Sequence, residues 1–300
     1  MFTPAPQNPG LATLLMICAT AFIAATTLCA KALGTDTLGP ALNPLQISHG
    51  RFVFAALALG SAALVLRPRF GRVHLRLHIA RTSCGWGGVT LMFTAVAFIP
   101  LADATAISFL NPVFAMILAI PLLGETVGRI RWTAAAIALV GAFVLLRPGG
   151  GAIETGALFA LGAAVVLGLE VIFIKRLSGR EAPFQILLVN NAVGLCIASV
   201  AVLPVWTMPT PAQWGALAAL GVLMALAQTC FLNAVARAEA SFIVPFSYLT
   251  LVFAAVMDGA VFGLWPDAVS LTGAAIIIAG AGLLAWREAR LRRTPQALRR

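Results

Sequence analysis

Charged residues are scarce in this sequence. Only 10% of its 300 residues are Asp, Glu, Lys or Arg, whereas soluble domains carry about 25%. Hydrophobic residues make up 61% of the chain, and the mean hydropathy is +0.98. A soluble protein of this length would need a polar surface that this composition cannot supply. We therefore expect the chain to fold in a lipid bilayer.

Cysteine and histidine are also scarce, which argues against a metal site or an enzyme. The five cysteines lie in apolar runs without C-x-x-C pairing, so no disulfide framework or metal site is predicted. All three histidines lie between residues 49 and 78, whereas a membrane-embedded acyltransferase needs clustered His, Asp or Glu at one interface. The phosphate-binding motif G-x-x-x-x-G-K-[ST] is missing as well. We predict no catalysis, no cofactor, no metal and no ATP hydrolysis.

Acidic residues number ten against twenty basic ones, which gives a net charge of +10. The basic residues occupy short loops and the tail "WREARLRRTPQALRR", without interleaved aromatic residues, so nucleic acid is not a predicted partner. The first ten residues, "MFTPAPQNPG", contain no basic residue. We therefore do not expect a cleaved signal peptide.

Ten apolar windows, bounded by glycine, proline and charge clusters, predict ten transmembrane helices. A helix satisfies its backbone hydrogen bonds within one segment, as lipid requires, and roughly 20 residues cross the hydrocarbon layer. The sequence "IPLAD" leaves room only for a tight reversal between the third and fourth windows. The windows lie near residues 11–33, 43–66, 80–99, 101–123, 130–147, 154–177, 183–204, 213–236, 240–262 and 268–286.

The basic residues also predict the orientation of these windows. If the loop "RPRFGRVHLRLH" is cytoplasmic, 17 of the 20 Lys and Arg residues lie on the cytoplasmic side. Lys31 and Arg147 lie on the other side, and Arg51 lies within the second window. This assignment obeys the positive-inside rule, and the alternative does not. Both termini are therefore predicted to be cytoplasmic.

The chain contains an internal repeat of two five-helix halves. "KALG" closes the first window as "KRLSG" closes the sixth, and "WTAAAIALVGAFVLL" aligns with "LTGAAIIIAGAGLL", which matches Gly141 to Gly280. "LLGE" at Glu125 aligns with "VFGL" at Leu264, so the second copy lacks the acid. Because five is odd, the second half must enter the membrane in the opposite sense, as in many carriers.

Two acidic residues stand at related points of this repeat. Asp103 opens the fourth window in "LADATAISFLNP", and Glu239 opens the ninth in "RAEASFIVPFSY". We expect each carboxylate near a helix N-terminus, where it accepts backbone amides and favours the positive end of the helix dipole. The alternative is that both carboxylates bind a cation or gate the pathway.

These segments, taken together, resemble the EamA-type members of the drug/metabolite transporter superfamily, chiefly through "LADATAISFLNPVFAMILAIPLLGE" and "SFIVPFSYLTLVFA". The resemblance implies a basket of ten helices around a central cavity, with alternating access and no ATP-hydrolysing domain. It also implies a solute site near the midplane, between helices 1, 3, 4, 6, 8 and 9. The predicted units are a first repeat over 11–147, a second over 154–286, and a basic tail over 287–300.

Polar residues inside the windows are candidates for the solute site, because a charge in hydrocarbon needs a partner or a function. Glu170, midway along the sixth window, could hold a substrate ammonium or carry a coupling proton. The alternative is a buried acid bonded to a neighbouring helix. Its repeat mate in the first window is Thr26. For Arg51 we expect a structural role, and for Asp258 a place at the outer interface.

Trp86, flanked by glycines in "SCGWGGVTLMF", is expected either to stack on the solute or to anchor the interface. Proline frees a backbone carbonyl and permits a bend, so Pro112 and Pro245 are predicted hinge points. The remaining candidates are polar side chains that could equally join helices to one another. They are Thr90, Ser108, Asn111, Gln228, Asn233 and Tyr248.

The sequence therefore predicts a multi-pass carrier of the bacterial inner membrane whose partners are lipid and a small-molecule substrate. The first expectation is a monomeric exporter of aromatic or neutral amino acids with broad specificity, since a mostly apolar cavity discriminates weakly. The alternative is an uptake carrier for S-adenosylmethionine or a riboflavin-like solute, and a membrane enzyme is disfavoured.

Overall fold

The computed structural model describes residues 8–67, 71–124, 128–145, 155–177, 180–181, 183–237 and 244–293. Across these residues the regular structure is helical, and it includes short 3-10 helices at Leu203–Val205 and Val244–Tyr248. The α-helices, numbered along the chain, are α1 (Pro9–Gly34), α2 (Pro44–Leu66), α3 (Leu75–Phe98), α4 (Leu101–Ser108), α5 (Asn111–Leu123), α6 (Arg129–Leu145), α7 (Thr155–Leu177), α8 (Pro183–Val202), α9 (Pro211–Arg237), α10 (Leu249–Phe262) and α11 (Ala268–Arg293).

Local sequence signals explain where several helices begin and end. The side chains of Asn8 and Asn43 each accept a hydrogen bond from a first-turn amide at 3.0 Å, and a proline follows each of them. This arrangement satisfies an orphan amide, and the fixed φ of proline suits the first turn. In the aligned motifs "LLG" and "VFG", Gly124 and Gly263 end α5 and α10 with φ values of 67° and 69°. Glycine adopts this left-handed conformation without strain.

Six segments of the described chain are long and apolar enough to cross a bilayer. Shorter apolar helices occupy Trp132–Leu145, Phe246–Phe262 and Ala268–Gly280. A helix is present in the described part of every predicted window. The six long segments are Gly10–Gly34, Pro44–Val65, Leu101–Leu123, Thr155–Ile174, Phe184–Val205 and Pro211–Ala234.

The fourth window differs from the prediction of one continuous helix, because α4 and α5 are separate. Near the break the backbone tightens: Leu110 N–H donates to the Ile107 carbonyl at 3.0 Å, three residues back. Pro112 follows in the first turn of α5. A proline removes one helical hydrogen bond and its ring clashes with the preceding turn, which accounts for the interruption.

Two other boundaries bear on the prediction. Only Ile99 and Pro100 separate α3 from α4, so the tight reversal expected at "IPLAD" is confirmed. Helix α3 begins at Leu75, five residues before the predicted window, so part of the basic loop is helical. As a result, Arg81, which stands at the edge of the predicted window, lies on the second turn of the helix.

Three pairs of helices pack along each other: α1 with α9, α3 with α7, and α6 with α11. In the last pair, the two aligned glycines lie against the backbone of the opposite helix. A Cβ added to Gly141 would lie 2.7 Å from the Gly273 oxygen and the Ile277 nitrogen. A Cβ added to Gly280 would lie 2.7 Å from the Ala134 oxygen. Small residues of this kind allow helix backbones to approach closely.

The short helix α4 lies at the centre of the fold. Every residue from Leu101 to Ile107 is buried. The largest buried apolar cluster includes α4 and joins it to residues of α3, α6, α7, α10 and α11. The start of the fourth window is therefore enclosed by the rest of the chain, although the window as a whole is as apolar as the other long segments.

Candidate functional site

Three charged side chains meet among the apolar helices: Arg51 of α2, Arg81 of α3 and Glu170 of α7. Arg51 is 4% exposed and Arg81 is 8% exposed. The Arg81 Nε lies 3.4 Å from Glu170 Oε1. Arg51 lies within electrostatic range of both Arg81 and Glu170. We call these three residues the central charged group.

Glycines of α3 make room for the carboxylate in this group. A Cβ added to Gly85 would lie 2.9 Å from the Glu170 Cδ, and one added to Gly88 would lie 2.6 Å from the Leu167 Cγ. The glycines around Trp86, predicted to allow close helix approach, therefore bring α3 against α7 at the level of Glu170. This contact places Arg81 and Glu170 next to each other.

The central charged group is not internally satisfied. Nε and Nη1 of both arginines are buried and make no hydrogen bond to any described residue. The Arg81 Nε is nevertheless engaged with Glu170 Oε1 in an ion pair at 3.4 Å, so the donors left free within the described chain are Nη1 of Arg81 and Nε and Nη1 of Arg51. Buried donors are normally paired, since an unpaired donor loses its bonds to water without replacement. Two positive groups and one negative group thus leave an excess of positive charge and of free donors.

Two predicted site residues also carry a buried polar atom without a hydrogen-bond partner in the described part of the chain. Trp86 Nε1 on α3 and Gln228 Oε1 on α9 are buried and have no hydrogen-bond partner among the described residues. Each side chain as a whole is half-buried. Both remain candidates for contact with a solute, one as a donor and the other as an acceptor.

The other predicted polar residues have local partners. The hydroxyls of Thr26, Thr90 and Ser108 donate to the backbone carbonyls of Phe22, Trp86 and Thr105 at 2.7–2.8 Å. Such bonds within one helix are common for Ser and Thr in membrane spans. On α9, Asn233 donates to Thr229 O at 2.9 Å and accepts from Arg237 Nη1 at 2.7 Å.

Aromatic contact joins the two helix interruptions. The ring of Tyr248, at the end of the second 3-10 helix, meets the ring of Phe109 edge-on with centroids 5.2 Å apart. Phe109 directly follows α4, and the half-buried Asn111 begins α5. The predicted hinge Pro112 is exposed in the first turn of α5, and Pro245 lies within the 3-10 helix.

Of the two predicted helix-start carboxylates, Asp103 is buried in the first turn of α4. Glu239 lies outside the described residues, as does Glu125. That the two carboxylates occupy equivalent places therefore stays a prediction.

Sequence reasoning missed a second buried ion pair. The sequence places Asp258 at the outer interface, but its side chain is fully buried. Lys31 Nζ lies 2.6 Å from Asp258 Oδ1 and 2.9 Å from Oδ2, and Leu101 N–H donates to Oδ2 at 2.7 Å. Asp258 thus joins the end of α1, helix α10 and the start of α4. One sequence signal pointed to this pair: Asp258 and Lys31 carry opposite charges and are both predicted on the outer side of the membrane.

A third polar cluster surrounds Glu181, just before α8. Its carboxylate accepts hydrogen bonds from the His74 backbone amide, from the rings of His74 and His78, and from Gln185 Nε2, at 2.7–3.0 Å. Burial by itself would raise the pKa of Glu181. The hydrogen bonds from His74 and His78 outweigh that effect and lower the pKa to about 2. This cluster ties the start of α3 to the segment between α7 and α8.

Comparison with known proteins places these features in a family. Residues 10–147 and 154–286 each match the EamA-like transporter family. The chain is 29% identical over 248 residues to a riboflavin transporter of Vibrio cholerae serotype O1, covering 77% of this chain and 82% of that one. It is 27% identical over 256 residues to an S-adenosylmethionine uptake transporter of Rickettsia bellii, covering 84% and 87%. It is 26% identical over 233 residues to the pseudopaline exporter CntI of Pseudomonas aeruginosa, covering 75% and 82%.

Proposed function

The chain belongs to the EamA-like transporter family of the drug/metabolite transporter superfamily, and we propose that it is a secondary carrier that moves a small metabolite by alternating access. The observation that carries this proposal is the central charged group. Placing a charge in the middle of a membrane costs about 2.5–3.5 kcal/mol on insertion scales. Three charged residues that meet among apolar helices, with donors unpaired in the described chain, need a function that offsets a cost of this kind. Recognition of a polar solute supplies one.

We further propose that ten helices form two oppositely inserted halves. The residue shift that carries Gly141 onto Gly280 also carries Ala134 onto Gly273 and Ala138 onto Ile277. The contacts between α6 and α11 are therefore reciprocal. Helix packing supports the same exchange: α1 with α9 corresponds to α7 with α3, and α5 with α7 corresponds to α10 with α1. Two equivalent halves can rock about a shared site and open it to either side in turn.

For the substrate we propose an amino acid or a related small metabolite, exported from the bacterial cytoplasm across the inner membrane. A group containing both signs of charge suits a zwitterion, with Glu170 holding the ammonium. Named relatives include both an exporter and uptake transporters. Uptake of an S-adenosylmethionine-like or riboflavin-like solute is therefore the second candidate.

Counterflow into proteoliposomes tests this function. The purified chain should exchange at least one of labelled L-phenylalanine, L-tyrosine, S-adenosylmethionine and riboflavin, and empty liposomes should exchange none of them. Glu170→Gln should slow transport of the ammonium-bearing solutes and leave riboflavin unchanged. Asp36→Asn, which removes an exposed carboxylate, serves as the matched control. Equal rates in the wild type and Glu170→Gln for every solute would overturn the role assigned to Glu170.

A further inference from the structure

We propose that Arg51 and Arg81 together bind a carboxylate of the transported solute, so that the carrier selects carboxylate-bearing metabolites. This inference rests on the proposed transport function and assigns its substrate class. Neither arginine is a predicted site residue from sequence: Arg81 counts there among the cytoplasmic positive charges, and Arg51 is expected to be structural.

The first support is the balance of charge. Among the buried charged residues of the described chain, Lys31 is paired with Asp258 at 2.6 Å. The charged groups that act on Arg51 are Glu170, which attracts it, and Arg81, which repels it. One carboxylate therefore serves two guanidinium groups enclosed by apolar helices. A bound carboxylate would neutralise the remaining charge.

The second support is the set of free donors. Nε and Nη1 of Arg51 and Nη1 of Arg81 are buried without a hydrogen-bond partner among the described residues, while the Arg81 Nε faces Glu170. A guanidinium presents its donors in a planar fork that matches the two oxygens of a carboxylate. A solute cation without an acceptor would not satisfy these donors, and the net positive charge would repel it.

The third support is the way in which Arg51 is held. The Phe52 ring covers the Arg51 guanidinium, with its centroid 4.4 Å from Cζ. Phe52 is 1% exposed and packs against Gly194 of α8, where a larger side chain would collide with the ring. Stacking of this kind covers one face of the guanidinium and leaves the in-plane N–H groups for another partner. Arg51 is thus oriented by packing, without a carboxylate of its own.

Paired probes test this site in the purified full-length protein. L-phenylalanine is compared with its methyl ester, and S-adenosylmethionine with its decarboxylated form, by equilibrium binding in nanodiscs. We expect at least one acid to bind, and its partner without the carboxylate to bind at least tenfold more weakly. Arg51→Gln and Arg81→Gln should each weaken the acid by about 10- to 100-fold, the range for a hydrogen bond to a charged group.

Controls separate recognition from folding. Arg180→Gln changes an exposed arginine and should bind as the wild type does. Arg51→Lys and Arg81→Lys keep the charge but lose the planar fork of donors, so intermediate affinity for the acid is expected. If a glutamine variant does not elute as a single peak, the lysine variants test the carboxylate site in its place. Three results would overturn the carboxylate site: equal binding of an acid and its blocked analogue, wild-type affinity for the acid in the arginine variants, or no binding of either acid.

The same probes distinguish this inference from the function on which it rests. Counterflow of the blocked analogues at the rate of the acids would refute the carboxylate site and leave the carrier function standing. Carboxylate-dependent binding without any counterflow would refute the carrier function and leave the site standing.

Discussion

Replacing Asp258 with Asn should destabilise the protein strongly, because the change breaks a buried ion pair. Asp258 is fully buried, holds Lys31 Nζ at 2.6 and 2.9 Å, and accepts the Leu101 amide. Asparagine can keep the bond to Leu101, because its side-chain oxygen still accepts. It cannot balance the ammonium of Lys31, whose side chain is only 5% exposed.

Removing one partner of a buried ion pair costs about 3–5 kcal/mol, because the other charge is left unpaired. Each kcal/mol shifts Tm by about 2–4 °C in chains of 150–250 residues. We therefore expect Asp258→Asn to lower Tm by roughly 10 °C in detergent micelles. Lys31→Met should have a similar effect, since it leaves the carboxylate buried without its cation.

The double variant Lys31→Met/Asp258→Asn decides between an ion pair and two independent packing defects. With both charges removed, Tm should return most of the way to the wild-type value. Asp36→Asn, in an exposed loop, should leave Tm unchanged. A double variant as unstable as the sum of the two single variants would refute the reasoning, as would an Asp258→Asn protein that melts with the wild type.

Three further outcomes are expected. The pKa of Glu181 is lowered from 4.5 to about 2, so its carboxylate stabilises the fold fully above pH 4.5 and loses that effect as pH falls towards 2. The Tm of the wild type should therefore drop more steeply between pH 5 and pH 3 than the Tm of Glu181→Gln. Parallel curves of Tm against pH would contradict this. Gly280→Ala places a Cβ 2.5 Å from the Ala138 nitrogen and should cost about 1–3 kcal/mol, whereas Gly282→Ala, with open space around it, should not change Tm. Single cysteines at Thr37 and Arg180, in a background without native cysteines, should react with an impermeant thiol reagent from opposite sides of the membrane; reaction from the same side would rule out inverted halves.

Several features of the fold could be predicted from local sequence because local rules produce them. The start of α2 follows from Asn-Pro, the ends of α5 and α10 follow from glycine, and the reversal between α3 and α4 follows from the length of "IPLAD". The break between α4 and α5 does not follow from the sequence, although Pro112 marks a point of bending. Both sides of the break are apolar, so composition does not locate it, and the backbone hydrogen bonds do.

The candidate site could be predicted in part. Glu170 is a candidate from sequence because a lone acid in an apolar run is costly, and it lies in the central charged group. Arg81 stands at the edge of the predicted window 80–99 and counts there as a cytoplasmic charge, whereas the helix starts at Leu75 and places it on the second turn. The hydroxyls of Thr26, Thr90 and Ser108 look available in the sequence, but each donates to its own helix. Sequence does not reveal whether such a side chain turns back to its backbone.

The sequence alone determined that the chain is a membrane protein, where its apolar helices lie, and which transporter family it resembles. These properties depend on composition and on patterns shorter than one helix, which survive without knowledge of tertiary contacts. The tertiary structure decided which charges meet. Arg51, Arg81 and Glu170 come from three helices, and Lys31 lies 227 residues from Asp258. Such pairs depend on how whole helices pack and rotate against each other. Long-range contacts, such as those of the glycines on α3, α6 and α11, determine this packing.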